Sequence, residues 1–469
     1  MGIMFSNFSS IANTPNLITN YSYHKLISEI EQHPNFRQVR LSDIFDIISG
    51  FSFKSEDYVE NGIKLLRIGD IRKDGSIDYS HMVKLPNEYE YEYGKFTAKE
   101  NDIVIAMTGA TIGKTGIILN LEEQLLLNQR VGILRLKSTV NANVKFVYYI
   151  MKHPLFLKQV LISSMGKSQA NISPYDILKI KIPYVPKEVQ DEILTKIEPI
   201  EKEISSLLSN YIDPFNVINN IFFKTLDFNS EEFNDLKKQK HFTLNTTCIG
   251  NNIDLRFSFK FHNKAGEYLV DFLKKKTSKR LKDYLSEPVV LGKGISPSEY
   301  DEDGEFYYVA MSNIKNWKFE GTDCKKVKKE FYSNNISKNI NINDILIARS
   351  GEGTIGKVAL IEDEEIEGIF ADFTMRIRLK DYNPLFAYYF LCSEFFQYQV
   401  YTHKKGLGNN TNIFPSQISE FPFLDFSSDE QRNLVNKIKS VLDEQKVIEA
   451  QIKEKQKHIT ETIGIAISI

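Results

Sequence analysis

Two glycine–lysine turns are the part of this sequence that looks most like a catalytic motif. A phosphate-binding loop places four residues between its glycines and a hydroxyl residue after its lysine, so that backbone amides and the hydroxyl hold phosphate and magnesium. Residues 109–114 (GATIGK) are followed by Thr115, but their glycines are one residue too close. Residues 351–357 have the correct spacing, but Val358 replaces the hydroxyl. We therefore predict glycine-rich β-turns at both positions rather than nucleotide hydrolysis.

Other residues with catalytic potential also lack the partners that their chemistry needs. Residues 383–386 (NPLF) resemble a methyltransferase loop, but one proline is missing and no glycine-rich cofactor loop precedes them. They are better explained as a turn that opens a helix. Cys248, Cys324 and Cys392 lie far apart, and no histidine pair has zincin spacing. We predict no catalytic residue, metal site or cofactor site in this chain, and a reducing cytoplasmic location.

Composition places the chain among globular proteins with more than one domain. Of 469 residues, 42% are hydrophobic and 26% are charged, and a chain of this length normally forms several cores. The 59 basic and 61 acidic residues nearly cancel, so a nucleic-acid surface would have to come from local segregation of charge. No window approaches the 18 or so apolar residues of a membrane span, so we expect no membrane partner.

An internal duplication organises the sequence. Residues 101–106 (NDIVIA) reappear as residues 343–348 (NDILIA), and the two glycine–lysine turns follow directly. Further short matches occur in the same order at a constant offset of about 240 residues. A constant offset through many matches indicates a tandem repeat. Runs such as residues 62–68 and 130–136 predict strands, and helical stretches follow, so each repeat should be an α+β domain ending in a long helix.

Two apolar stripes of helical period predict these long helices, one after Pro186 and one after Ser428. Ser428 and Gln431 have the spacing of a capping box. We expect the two helices to pack antiparallel as a coiled coil, although each stripe could instead pack onto its own domain. The residues predicted to form the helix-pair interface are Val189, Ile193, Ile197, Ile200, Ile204, Leu207, Leu434, Ile438, Val441, Ile448, Ile452 and Ile459.

Taken together, these motifs resemble the specificity subunits of type I restriction-modification systems, and the likeness extends over nearly the whole chain. The second repeat departs from the pattern at residues 371–373 and by one additional residue within 350–353. The segments that carry the resemblance in the first repeat are residues 101–102, 108–114, 128–130, 169–173, 182–183 and 188–190.

The resemblance implies a non-catalytic subunit with an α+β fold. In it, two tandem α/β target-recognition domains, related by a pseudo-twofold axis, are joined by two long antiparallel coiled-coil helices. Such a subunit reads a bipartite target in double-stranded DNA and docks two modification subunits, which restriction subunits join. S-adenosylmethionine, ATP and magnesium would belong to these partners. The predicted boundaries are an N-terminal segment 1–36, domain one 37–185, helix one 186–226, a connecting segment 227–276, domain two 277–426 and helix two 427–469.

Arg, Lys, Asn and Gln side chains in polar loops are the candidates for DNA contact, because they read base edges and neutralise phosphates. Each could equally be an ordinary solvated residue, and the run Lys325–Lys329 is expected to contact phosphate or solvent. The candidates in domain one are Lys54, Arg67, Arg72, Lys73, Lys114, Arg130, Lys167, Gln169 and Asn171. Those in domain two are Lys293, Asn313, Lys315, Arg349, Lys357, Lys404, Lys405, Asn409, Asn410 and Asn412.

Two other functions compete with this interpretation. The first is a self-sufficient DNA methyltransferase or nuclease, which would need the cofactor loop or carboxylate cluster that the sequence lacks. The second is a coiled-coil adaptor without a role in DNA binding. Activity of the isolated chain would favour the first, and absence of DNA protection would favour the second.

Overall fold

The computed structural model describes residues 38–72, 74–164, 171–250, 256–351, 353–362, 366–406 and 410–467. The predicted N-terminal segment 1–36 lies outside these residues. The chain divides into two compact units: the first contains the residues up to Asn210 and those from Ala450 onward, and the second is Tyr211–Glu449. The division therefore falls inside the predicted helical segments 186–226 and 427–469 rather than at their ends.

The first unit contains two main sheets. A four-stranded antiparallel sheet has the order β2-β8-β5-β6, and a three-stranded sheet has the order β4-β3-β7, in which β3 and β7 run parallel. A short antiparallel pair joins β1 to β9. The strands are β1 (Gln38–Arg40), β2 (Phe45–Ser49), β3 (Ile63–Leu66), β4 (Lys84–Leu85), β5 (Ile103–Ala106), β6 (Thr115–Ile117), β7 (Leu125–Leu127), β8 (Val131–Leu136) and β9 (Lys181–Pro183).

The second unit repeats this topology. Its four-stranded sheet has the order β10-β18-β15-β16, and its three-stranded sheet has the order β14-β11-β17 with β11 and β17 parallel. A two-stranded hairpin, β12-β13, is added. The strands are β10 (Val290–Leu291), β11 (Phe306–Val309), β12 (Ile314–Lys315), β13 (Lys318–Phe319), β14 (Lys325–Val327), β15 (Ile345–Ala348), β16 (Val358–Leu360), β17 (Gly368–Phe370) and β18 (Thr374–Ile377).

The register of the strands repeats as well. Ile103 is opposite Leu134 in the first sheet, and Ile345 is opposite Ile377 in the second, at sequence offsets of 242 and 243 residues. All four residues of β5 and of β15 are buried, as their unbroken apolar runs require when both faces of a strand are covered. The tandem duplication and the mixed helix-and-sheet fold are therefore confirmed.

In both units, two helices follow the last strand of the four-stranded sheet. Asn383 accepts hydrogen bonds from the backbone N–H groups of Leu385 and Phe386, so residues 383–386 open a helix as predicted. The helices of the first unit are α1 (Leu41–Ile44), α2 (Tyr89–Tyr93), α3 (Val144–Lys152), α4 (Pro154–Ser164), α5 (Pro174–Lys179) and α6 (Lys187–Asn210). Those of the second unit are α7 (Pro214–Leu226), α8 (Ser230–Lys238), α9 (Thr246–Gly250), α10 (Lys264–Lys276), α11 (Lys329–Asn334), α12 (Pro384–Cys392), α13 (Glu394–His403) and α14 (Pro415–Ile418).

The predicted single helix 186–226 is in fact two helices. Helix α6 contains Pro199 in its interior and ends at Asn210. Helix α7 then begins at Pro214, with Asp213 as its N-cap: the Asp213 side chain accepts a hydrogen bond from the backbone N–H of Phe215. Proline at the first helical position needs no N–H partner, so a new helix starts here instead of the old one continuing.

The longest helix, α15 (Ser428–Ala466), has a different cap from the predicted one. The capping box joins Ser427 and Glu430: the Glu430 carboxylate accepts the Ser427 N–H at 2.8 Å, and the Ser427 hydroxyl accepts the Glu430 N–H at 3.4 Å. The prediction from Ser428 and Gln431 was therefore wrong by one residue, because Gln431 is buried and bonded elsewhere. Within the described part of the chain, no helix is long and apolar enough to cross a membrane.

Candidate nucleic-acid interface

The Asn-Asp motif that opens β5 and β15 builds a tight turn in both units. Asn101 and Asn343 adopt the left-handed conformation, with φ of 66° and 69°, which asparagine tolerates better than most residues. The carboxylate of Asp102 accepts the backbone N–H of Lys99 at 2.7 Å, and Asp344 does the same for Asn341 at 2.7 Å. The repeated motif is therefore explained by backbone geometry.

Each of these aspartates also forms a two-pronged ion pair across its sheet. Arg135 of β8 donates to Asp102 through Nε at 3.0 Å and Nη2 at 2.6 Å. Arg378, just after β18, donates to Asp344 through the same two nitrogens, both at 2.7 Å. The aspartate side chains are 2% and 1% exposed. The pairs tie the β5–β8 and β15–β18 ladders together at the start of β5 and β15, the strand ends opposite the glycine–lysine turns.

The first glycine–lysine turn is the loop of the β5–β6 hairpin. The N–H of Gly113 donates to the carbonyl of Ala106 at 2.9 Å, and the N–H of Ala106 donates to the carbonyl of Lys114 at 2.8 Å. Gly109 and Gly113 have φ of 76° and 80°, a conformation that favours glycine. A strand rather than a helix follows, so the prediction of a β-turn instead of a phosphate-binding loop is confirmed.

Three segments that are distant in sequence meet at this turn. The N–H of Met107 donates to the carbonyl of Arg130 at 3.0 Å, and the N–H of Ile172 donates to the carbonyl of Met107 at 3.0 Å. Thr108 also forms a β-bridge with Asn171. We call residues 107–114, 128–130 and 171–172 the first turn cluster. It brings together three of the predicted DNA contacts, Lys114, Arg130 and Asn171.

The second unit contains an equivalent second turn cluster, made of residues 349–351, 353–357, 371–373 and 412–413. The N–H of Arg349 donates to the carbonyl of Phe373 at 3.0 Å, and the N–H of Ile413 donates to the carbonyl of Arg349 at 2.9 Å. Asn412 forms bridges with both Ser350 and Lys405. The segment with residues 371–373 therefore takes the structural place of residues 128–130, despite its different sequence.

The two clusters carry their arginine on different segments. In the first, Met107 is buried and Arg130 is exposed. In the second, Arg349 stands in the place of Met107, and its guanidinium lies 5.7 Å from the ring of Phe373 and 5.8 Å from that of Phe414. An arginine held between aromatic rings keeps its donors in a fixed plane. The same backbone thus presents different side-chain chemistry in each unit.

Of the other candidates of domain one, Lys54 lies between β2 and β3, Arg67 and Arg72 lie in the β3–β4 connection, and the rest lie outside the described residues. Lys54 is exposed, and Arg72 is exposed with Nη2 3.1 Å from the Asp78 carboxylate. Hydrogen bonds from Ser80, with help from Arg72, lower the pKa of Asp78 to about 2. Arg67 is half-buried beside Asp70, whose pKa is raised by burial. Three candidates lie outside the described residues: Lys73, Lys167 and Gln169.

In domain two, Lys293 is exposed next to Phe370, and Lys357 is half-buried in the second turn cluster. Lys315 is half-buried and pairs with Asp323 and Glu320, and the Asp323 hydrogen bond raises its pKa. The remaining candidates with side chains near the surface are Lys405, Asn410 and Asn412, whereas Asn409 lies outside the described residues.

Two candidates of domain two are too buried to serve as direct base contacts. Asn313 is 3% exposed, and its Oδ1 accepts the N–H of Ala310 at 2.9 Å, as Asp70 does for the N–H of Arg67 in the first unit. Lys404 is 9% exposed, with its ammonium 5.6 Å from the ring of Tyr401. We remove both from the candidate set, because a buried polar group is already committed to protein partners.

The apolar stripes of the long helices are only partly as predicted. Within the first unit, Ile193, Ile197, Ile204, Ile452 and Ile459 are buried. Lys455 of α15 forms an ion pair with Glu203 of α6 in the same unit. The half-buried members of the predicted interface are Ile200, Leu207, Val441 and Ile448.

Four members of that interface have other surroundings, and one of them is the half-buried Val441, which packs against the core of the second unit. Val189 is 41% exposed, whereas Leu194, which the periodicity did not include, is 5% exposed. Leu434 and Ile438 belong to the aromatic-rich core of the second unit, which also contains Phe386 and Phe390. This part of α15 therefore packs onto its own domain, which is the alternative that the sequence left open for each apolar stripe.

A buried glutamine near the start of each long helix forms hydrogen bonds with the preceding domain. Oε1 of Gln190 accepts the N–H of Asn143 at 2.7 Å, while its Nε2 donates to the carbonyl of Val185 at 2.7 Å. Gln431 makes the same bonds with Asn383, at 2.9 Å, and with Phe426, at 2.7 Å. The glutamine shared by the repeats therefore links the start of α6 or α15 to the N-cap of a domain helix.

Replacing Gln190 by Leu should lower the free energy of unfolding of the first unit by about 1–3 kcal/mol, because the N–H of Asn143 loses its acceptor. Hydrogen exchange at the amides of α3 and α6 would measure this loss. Gln451→Leu, at an exposed position of α15, is the control and should change stability by no more than about 0.5 kcal/mol. Equal exchange in the two variants would contradict the role of Gln190.

Comparisons with known proteins show which proteins this chain resembles. Residues 34–213 match the family described as the type I restriction modification DNA specificity domain. The specificity subunit of the MjaVIII type I restriction enzyme of Methanocaldococcus jannaschii is 32% identical over 181 residues, which are 38% of this chain and 42% of that protein. The EcoBI specificity subunit of Escherichia coli is 26% identical over 161 residues, 33% of each chain.

Residues 34–213, less than half of the chain, thus resemble the DNA specificity domain of type I restriction-modification systems. By sequence the chain is related to the specificity subunits of type I restriction enzymes, and it spans less than half the length of the curated relatives it matches. Among solved structures, the type I restriction-modification S subunit from M. genitalium aligns with 92% of this chain and 96% of its own, at 14% identity and a TM-score of 0.39.

Proposed function

We propose that the chain is the non-catalytic DNA-recognition subunit of a type I restriction-modification complex in the cytoplasm of a bacterium or archaeon. One observation carries the proposal. Two units with the same strand order and register present equivalent turn clusters, with different side chains at matching positions. Two unlike reading surfaces suit a target made of two different half-sites. The family match of residues 34–213 supports the same function.

The chemistry of the clusters fits base readout. Arg130 and Asn171 are exposed in the first cluster, and Arg349, Lys357 and Asn412 lie in the second. Arginine and asparagine recognise guanine and adenine through paired hydrogen bonds in the major groove. Each well-placed contact discriminates against a wrong base pair by about 1–3 kcal/mol. Methyl transfer with S-adenosylmethionine would belong to two docked modification subunits, and ATP- and magnesium-dependent cleavage to restriction subunits.

The direct test is to express the chain with its modification subunits and to map methylated bases across the host genome. A single split target is expected. Methylation without sequence preference would contradict the proposal, and methylation by the isolated chain would favour a self-sufficient enzyme.

Arg130→Ala should relax specificity in one half of the target only, and Arg349→Ala in the other half only. Lys238→Ala, on the exposed surface of α8, serves as the control and should leave both halves unchanged.

We also propose that α6 and α15 pair as an antiparallel spacer that sets the distance between half-sites. The ion pair of Lys455 with Glu203 supports this role. Duplicating residues 200–206 and 452–458 adds one heptad to each helix, or about 10 Å at 1.5 Å per residue. At about 3.4 Å per base pair, the spacer in the target should lengthen by about three base pairs while each half keeps its sequence. An unchanged spacer in the methylation map would refute the role of these helices.

A further inference from the structure

A dense basic segment of the second unit is not among the predicted DNA contacts. Residues 274–282 contain six basic side chains and no acidic one, in a chain whose charges otherwise nearly cancel. They begin in the last turn of α10 and continue to the start of the second domain. All six side chains are exposed: Lys274, Lys275, Lys276, Lys279, Arg280 and Lys282. The signal was visible in the sequence as a local segregation of charge.

This segment forms one wall of an open cleft. The cleft has a volume of about 540 Å³, and Lys274, Lys279 and Arg280 line it together with His403 and Gln417. Glu420 is the single carboxylate among the residues that line it, and this residue already pairs with Arg280 and, at 2.7 Å, with Lys282. Within the part of the chain that the structure describes, no carboxylate forms an ion pair with Lys274, Lys275, Lys276 or Lys279. The cleft is therefore a region of positive potential.

The cleft is continuous with the second turn cluster. Nε2 of Gln417 donates to the carbonyl of His403 at 2.8 Å, and Oε1 of Gln417 accepts the N–H of Phe414 at 3.0 Å. Lys405 and Asn412 exchange two backbone hydrogen bonds, at 2.8 and 2.7 Å. Residues 403–406 and 410–417 thus contribute to both surfaces. A duplex lying on the second turn cluster would extend naturally toward the lysines.

We infer that this cleft binds the phosphodiester backbone of DNA next to the half-site read by the second unit. Phosphate is the ligand that a cluster of exposed ammonium groups suits, since lysine acts as a point charge. Continuity with the second turn cluster favours DNA over an acidic protein surface. The inference rests on the proposed function and adds a site that carries affinity but no sequence information.

The first unit offers a weaker version of this site. Its equivalent turn starts at Arg40, whose N–H donates to Asp43 at 2.9 Å, as the N–H of Arg280 donates to Asp283 at 2.8 Å. Residues 38–42 (QVRLS) contain one basic side chain, whereas residues 278–282 (SKRLK) contain three. The second half-site should therefore contribute more of the salt dependence of binding.

The test uses the complete complex with its modification subunits and a fluorescent duplex that carries the mapped target. Dissociation constants are measured between about 50 and 200 mM salt. In the triple variant Lys274→Gln, Lys279→Gln, Arg280→Gln, which removes the basic side chains that line the cleft, the slope of log K against log salt should fall by about one for each side chain that contacts phosphate. Affinity for target and scrambled DNA should fall together, by roughly tenfold, so that their ratio is unchanged. Lys279→Gln alone should lower the slope by about one.

The control variant removes the same charge from dispersed sites of the second unit: Lys238→Gln, Lys264→Gln and Lys446→Gln. Each of these lysines pairs with a carboxylate on its own helix, at 2.8, 2.7 and 2.7 Å. Equal slopes for both triple variants would overturn the inference. Loss of the modification subunits from the variant complex would also overturn it and assign the lysines to a protein contact. A wild-type complex that does not distinguish target from scrambled DNA would instead refute the proposed function.

Discussion

Asp102→Asn is expected to lower the free energy of unfolding of the first unit by about 3 kcal/mol. The substitution removes the charge that balances Arg135 in a nearly buried pair, and breaking such pairs costs about 3–5 kcal/mol. The lower end applies because the Arg135 side chain is 26% exposed and can partly rehydrate. Hydrogen exchange of the β5 amides reports the loss within this unit alone.

The duplication supplies a second version of this experiment. Asp344→Asn should destabilise β15 in the same way but by less, because Nη1 of Arg378 also lies 3.6 Å from the Glu287 carboxylate. Asp429→Asn is the matched control, since Asp429 and Arg432 form an exposed pair at 3.7 Å. Its effect should stay within about 0.5 kcal/mol. If Asp102→Asn and Asp344→Asn lower the free energy of unfolding no more than Asp429→Asn does, the repeated aspartates do not hold the sheets together.

Gly50→Ala should destabilise the first unit by about 3 kcal/mol and displace residues 128–130 from the first turn cluster. A Cβ at Gly50 would lie 2.3 Å from the carbonyl oxygens of both Leu127 and Asn128. Backbone atoms cannot rotate away as side chains do, so the strands must separate, and the cost lies at the upper end of the range for overpacking. Thermal unfolding measures the destabilisation, and hydrogen exchange at residues 127–131 measures the displacement.

Gly292→Ala should likewise destabilise the second unit, since its Cβ would lie 2.1 Å from the carbonyl oxygen of Phe370. Gly69→Ala is the control in the first unit, because a Cβ there meets no atom within 4 Å. It should leave stability within about 0.5 kcal/mol of the wild type. If Gly50→Ala and Gly69→Ala unfold at the same temperature, the close approach at Gly50 does not constrain the cluster.

Several features of this protein follow from the sequence alone. The duplication and the mixed fold could be predicted, since a constant offset and unbroken apolar runs such as residues 103–106 and 345–348 depend only on residue order. The β-turn at residues 109–114 and the helix start at Asn383 could also be predicted, because glycine spacing and capping are local properties. The resemblance to DNA specificity subunits could be predicted from the order of such local motifs.

Tertiary structure alone decided which polar groups meet. Asp102 pairs with an arginine 33 residues away. The Gln431 side chain accepts a hydrogen bond from the N–H of Asn383, so Ser427 and Glu430 form the helix cap instead. The first half of the α15 stripe lies in its own domain core. Periodicity shows that a face is buried but does not identify the surface that covers it, and the partner of a polar side chain depends on the path of the whole chain.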